Sequence, residues 1–171
     1  YGWHNDDYIR KHSSSGGAFT AFADHIMKNS GIVFGAVYDS GKQMVLHKST
    51  DECELEAMRK SKYVQSYIGD SFKKVVTALD NNKRVLFVGT PCQIAGLKMF
   101  CDHQNLITCD FICHGVPSMK LLIDDLKLLE KKYDDKIISF DFRPKLKTWS
   151  FDYFSIYLKS GNRKNIPWSN D

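Results

Sequence analysis

The stretch FVGTPCQIAGLKMF, Phe87–Phe100, reads as the end of a strand followed by the start of a helix. With the residues before it, RVLFVGT is a short apolar run bounded by Gly89 and a Thr-Pro step, as a buried central strand requires. Thr90 suits an N-cap, Pro91 suits the first helical position, and Gln93 stands three residues after the cap. Thr90 and Gln93 therefore make a capping box. Cys92 falls in the first turn, where unpaired amides and the helix dipole favour a thiolate. A thiolate can bind iron or attack an electrophile; a small structural residue under a helix cap is the competing reading.

Outward from this strand, strands and helices alternate. SSSGGAFTAFADHIMKNSG predicts a helix capped by its serines and closed by Gly31, with Phe19, Phe22, Ala23, Ile26 and Met27 on one apolar face. IVFGAVYD predicts a strand, with MVLHK as its antiparallel partner across the Asp39–Lys42 turn. Asp51 to Lys60 reads as a short acidic-to-basic helix, and GDSFKKVVTALDNNK as a longer one that turns Phe72, Val75, Val76 and Leu79 inward. LITCDFIC predicts a further strand and Ser118 to Lys132 a long helix. KIISFDFRP and FDYFSIYLKSG alternate with period two. The implied class is α/β: a mostly parallel mixed sheet with flanking helices and a C-terminal antiparallel β pair. In such sheets ligands bind beyond the carboxyl ends of the strands, where Gly89–Cys92 and Cys113–Pro117 fall.

The 171 residues are 43% hydrophobic and 13% aromatic, enough for one folded domain over 1–171 and against disorder. A net charge of +4 without a Lys/Arg block gives no argument for nucleic acid. There is no signal peptide and no apolar run near membrane-spanning length, so a cytoplasmic location without a membrane span is expected. The chain opens on YGWHNDDYIRKHSSSGG and stops on IPWSND, both in mid-stride, and reads as an excised piece of a longer protein. Its five cysteines favour reduced thiols or metal ligands over a disulfide framework.

CDFICHGVPS repeats the theme of a cysteine at a strand end. Cys109 and Cys113, four apart, share a side in a strand, with Cys109 mid-strand in the core. C-x3-C spacing is weak evidence for a metal site, and Cys53 and Cys101 read as structural. SSSGG offers hydroxyls and close-approach glycines to an anion, or serves simply as a cap. RKSKYVQSYIG is a polar, aromatic segment that is neither a clean helix nor a clean strand; it could hold a ring system with its phosphates, or be a solvated connection. His4, His12, His25, His47 and His103 are scattered. Only His114, beside Cys113, has a suggestive neighbour, and it offers a weaker reading as a base for a Cys92 nucleophile.

Taken in order, SSSGGAF, SKYVQSYIGD, VGTPCQIAGLK and CHGVPS resemble the coenzyme F420 hydrogenase/dehydrogenase beta-subunit family, from about Trp3 to Trp149. The resemblance implies an oxidoreductase: an iron–sulfur flavoprotein that binds FAD and 4Fe–4S clusters. Such a protein passes electrons between a partner protein or ferredoxin-like domain and a small-molecule acceptor such as a deazaflavin. It makes Cys92 and Cys113 cluster ligands. It places Ser14, Ser15, Gly16, Gly17, Lys62, Tyr63, Gln65, Ser66, Thr90 and Gln93 in the flavin pocket. Family proteins carry an N-terminal ferredoxin-like cysteine cluster and further downstream cysteines. Neither occurs in this sequence, so two of four cluster thiolates are expected and the fragment alone is expected to be inactive. Similar proteins among polysaccharide-biosynthesis genes supply the alternative, a catalytically silent binding module.

Overall fold

The structure, a computed structural model, describes residues 2–145 and 153–167. The expectations at Trp149 and at the start of FDYFSIYLKSG lie outside the described residues. In chain order the elements are α1 (Asp7–Lys11), α2 (Ala18–Met27), β1 (Ile32–Asp39), β2 (Met44–Ser49), α3 (Leu55–Met58), α4 (Ser71–Asp80), β3 (Val85–Val88) and α5 (Pro91–Phe100). β4 (Leu106–Cys109), α6 (Met119–Tyr133), β5 (Ile137–Asp141), β6 (Tyr153–Leu158) and β7 (Arg163–Pro167) follow. No helix among the described residues is long and apolar enough to cross a membrane.

The larger sheet has the order β2-β1-β3-β4. β1 pairs with β2 antiparallel, while β1–β3 and β3–β4 are parallel, which makes the mostly parallel mixed sheet expected from the strand–helix alternation. Alternation sends Phe34, Val85 and Phe87 to one face, where Val75, Leu79, Ile94 and Leu97 of α4 and α5 cover them. Val33, Val37 and Leu86 face the other side, against Ala23 and Ile26 of α2 and Leu55 and Met58 around α3. Gly35 of β1 fits this second layer closely: a Cβ there would stand 3.2 Å from the Met58 sulfur. Full burial of side chains such as Phe87 or Leu97 contributes about 1.5–3 kcal/mol each.

A second sheet, β5-β6-β7, is antiparallel throughout. Phe140, Phe142, Phe154, Ile156 and Leu158 pack there with Leu122 and Leu126 of α6 and Val45 of β2. The expected C-terminal pair is thus a three-stranded sheet. The added strand, RKNIP, is polar, ends in proline and is largely exposed, so it carries no alternation to read.

Four local expectations change. The N-cap of α2 is Gly17 at φ +85°, and no serine side chain caps the helix. Its buried face is Thr20, Ala23 and Ile26, with Phe22 and Met27 exposed. The helix expected over Asp51–Lys60 contracts to Leu55–Met58. LITCDFIC pairs only through Cys109, so Cys109 ends β4 and Cys113 lies in the irregular segment beyond it. An unexpected short helix, α1, forms in the polar N-terminal segment, where the Asp6 side chain accepts from the Tyr8 and Ile9 amides.

Candidate functional site

At the β3–α5 connection the Gln93 half of the capping box is formed: the Thr90 amide donates to Gln93 Oε1 at 3.0 Å. The Thr90 hydroxyl stands 3.1 Å from Cys92 Sγ, and that thiol is exposed at the head of α5. Gln93 is 6% exposed, and its carboxamide nitrogen donates to Ser66 O at 3.2 Å and Ser66 Oγ at 3.1 Å. Gly89 makes room for this side chain, since a Cβ there would lie 3.0 Å from Gln93 Oε1 and 3.2 Å from the Phe87 ring.

Ser66 leads to a residue that sequence reasoning passed over. Its hydroxyl meets His47 Nδ1 at 2.7 Å, and His47 Nε2 lies 2.9 Å from the Val88 carbonyl. A carbonyl only accepts, so Nε2 carries the proton and donates, while Nδ1 accepts from Ser66. Burial pushes the imidazole pKa below its ordinary value, with the Val88 bond opposing and Lys62 reinforcing, so His47 is neutral at neutral pH. The ring stacks on Phe87 at 4.9 Å between centroids and 6° between planes. Ser71 Oγ donates to the His47 carbonyl, and Tyr67 bridges the backbone of β2. The usable signal was a histidine directly following the apolar Met44–Leu46 run of a strand.

The SSSGG segment joins the same assembly. The buried Ser14 hydroxyl accepts from the Ser61 amide at 2.8 Å, and the Ser15 carbonyl accepts from Lys145 Nζ at 2.9 Å. The close approach at the two glycines is to the chain's own N-terminal segment: a Cβ on Gly16 would stand 3.3 Å from Trp3 Cβ, and one on Gly17 3.0 Å from His4 Cβ. Lys62 Nζ donates to the Ala57 and Arg59 carbonyls at 2.8 and 2.6 Å, at the C-terminal end of α3. Its burial pushes the pKa down to about 7, repulsion from Lys60 adds to this, and Asp141 and Cys53 oppose it. Tyr63 is 40% exposed, packs edge-on against Phe142, and accepts from Arg143 at 3.3 Å; Gln65 is exposed. Lys60 pairs with the buried carboxylate of Asp141 at 2.5 Å.

Of the residues expected to face a flavin, Ser15, Tyr63 and Gln65 are therefore exposed, Thr90, Lys62 and Gly16 are half-buried, and Ser14, Gly17, Ser66 and Gln93 are buried beneath them. Two surface cavities, about 330 Å³ beside Cys101 and His103 and about 370 Å³ beside Lys131 and Asp135, touch none of these residues.

Cys92 and Cys113 follow adjacent parallel strands. Val88 and Cys109 are register partners, and each cysteine comes four positions later (88 to 92, 109 to 113). Cys113 is half-buried, and the apolar residues before it, Phe111 and Ile112, are exposed. Among the described residues no three His, Cys, Asp or Glu side chains come together as a metal site. Cys53 and Cys101 pack against the two helix-covered core layers, and burial raises both thiols, as expected of structural residues. Cys109, also raised by burial, packs on the α2 layer from the strand end.

The fold is similar to that of a chain in the F420-reducing NiFe hydrogenase complex from Methanosarcina barkeri, with 19% identity and a TM-score of 0.57. The likeness covers 96% of this chain and 58% of that one, so the chain spans little more than half of its neighbour's length. At that identity the likeness speaks to fold. No curated protein sequence matches the chain. Residues 82–170, just over half the chain, match the family model for the C terminus of the coenzyme F420 hydrogenase/dehydrogenase beta subunit, with GTPCQ and CHG inside the match. The chain belongs to the coenzyme F420 hydrogenase/dehydrogenase beta-subunit family.

Proposed function

We propose that the chain is the flavin-binding, electron-transferring core of an iron–sulfur oxidoreductase, with Cys92 and Cys113 as two of the thiolates that hold a 4Fe–4S cluster. One observation carries the reading. Three segments far apart in sequence are tied together by hydrogen bonds, Ser14 to Ser61 and Ser66 to Gln93, and the tie ends at the turn bearing Cys92. Such ties hold the residues around the Cys92 turn in fixed positions, as a cofactor site requires.

The cysteines fit a cluster edge: both are free thiols, one exposed and one half-buried, at matched positions beyond neighbouring strands. Four thiolates are needed, so the other two come from outside this pair. Ser15, Tyr63 and Gln65 present hydroxyl, phenol and carboxamide to an FAD from the exposed side, with Lys62 at the segment's base donating to the Ala57 and Arg59 carbonyls. When bound, the cluster moves single electrons and FAD couples them to a two-electron acceptor. The chain's own part is positional: the first turn of α5 presents the exposed Cys92 sulfur, and buried Ser66 and Gln93 keep the 61–67 segment against that turn. A redox partner protein as donor and a small-molecule acceptor complete the proposal; in the M. barkeri neighbour's complex the reduced molecule is coenzyme F420.

The full-length gene product, purified anaerobically, is the material for the test. Flavin absorption bands with bound iron are expected. Absence of both flavin and iron in a folded preparation would sink the proposal.

A further inference from the structure

We propose that His47 is a positioning residue for the Cys92 turn. The inference rests on the reading of Cys92 as a working thiolate. The hydrogen bonds around His47 close a ring that begins and ends on the β3–α5 connection. His47 donates to the Val88 carbonyl at the last residue of β3, Ser66 donates to His47, Gln93 donates to Ser66, and Gln93 accepts from the Thr90 amide. Val88 and Thr90 are two residues apart, so the ring clamps Gly89 between them from the side of β2 and the 61–67 segment. β2 is not a neighbour of β3 in the sheet; β1 lies between them. The residue opposite His47 on β1 is Ala36, small enough for the imidazole to reach past it to Val88.

Each member has one workable role. His47 has both nitrogens engaged and is 6% exposed, so it is not available to a substrate. Ser66 is 7% exposed and Gln93 6%. The hydrogen bonds of His47 and Ser66 reach the Cys92 turn through Gln93 and the Thr90 amide. The predicted consequence is local: removing His47's two bonds leaves the Ser66 hydroxyl, which Gln93 uses as an acceptor, without its own acceptor and loosens the first turn of α5 while the rest of the domain stays folded.

The test replaces His47 with Phe, which keeps a ring against Phe87 and removes both polar contacts. Amide hydrogen exchange at Thr90 is compared with that at Leu126, a fully buried residue of α6. Thr90 is expected to exchange about fivefold faster, the size of one lost net hydrogen bond, with Leu126 unchanged. A trifluoromethyl tag on Cys92 is expected to give one fluorine resonance in the wild type and a shifted or split one in His47→Phe. If His47→Phe does not fold, Ser66→Ala removes one hydroxyl from the same ring and is read in the same way. The idea is overturned if Thr90 and Leu126 accelerate together, or if neither Thr90 nor the tag responds. These readings need no cofactor, so they stand apart from failure to find iron or flavin.

Discussion

Replacing Gly89 with alanine tests whether this glycine exists to seat Gln93. The new Cβ would lie 3.0 Å from Gln93 Oε1, 3.3 Å from Gln93 Cβ and 3.2 Å from Phe87 Cε1. Phe87 cannot yield: it is fully buried, stacked on His47 at 4.9 Å and edge-on to Phe72 at 5.7 Å. The Gln93 side chain must therefore move. Its displacement breaks the bond from the Thr90 amide and the two bonds to Ser66. At roughly 1 kcal/mol net for each of three hydrogen bonds, the cost is about 3 kcal/mol. In urea unfolding with a slope of about 2 kcal/mol/M, the midpoint should fall by about 1.5 M. In a Gln93→Ala background the same substitution should cost less than about 1 kcal/mol, because no hydrogen bonds are left to break and only the contacts to Phe87 and to the Cβ retained at position 93 remain to be relieved. A penalty equal in both backgrounds, or below about 0.5 kcal/mol in the wild type, would refute the reasoning.

Other outcomes follow from the same geometry. Peptide mapping after brief alkylation should find Cys92 modified first and Cys53, Cys101 and Cys109 slowly, since burial raises all three thiols; early modification of Cys53 would contradict the packing. Lys62 titrates at about 7 when folded, below the ordinary lysine value, so between those values the unfolded chain binds more protons. Wild-type stability should therefore rise relative to Lys62→Met as pH increases upward from about 7; denaturation midpoints across that range decide it, and parallel curves would remove the claim. Leu126→Ala, at the contact between α6 and the second sheet, should cost about 2–5 kcal/mol in the same urea assay.

What could be read in advance was local. The Gln93 half of the capping box, the β1–β2 hairpin and the helix beginning at Ser118 each depend on residues within a few positions of one another, and all three form. What escaped reading depends on distant partners. Phe111, Ile112 and Cys113 continue the apolar run of LITC and resemble a strand, but among the described residues no strand pairs with them, and Phe111 and Ile112 are exposed. Gly16 and Gly17 looked like room for an anion, while the space is taken by Trp3 and His4 folding back. His47 resembled any strand histidine, because Ser66 and Val88, which give it a role, stand 19 and 41 residues away. The segments proposed to meet a flavin were legible in the sequence, yet sorting their exposed residues from their buried ones needed the fold.

The central claim is that Cys92 and Cys113 together hold iron. The most direct measurement is iron content with the electron paramagnetic resonance spectrum of the dithionite-reduced full-length protein, prepared anaerobically beside Cys92→Ser and Cys113→Ser. A reduced-cluster signal is expected in the wild type, with iron content lower by one cluster and that cluster's signal lost in each variant, while the circular dichroism of the fold is retained. Variants that keep wild-type iron and an unchanged signal would contradict it.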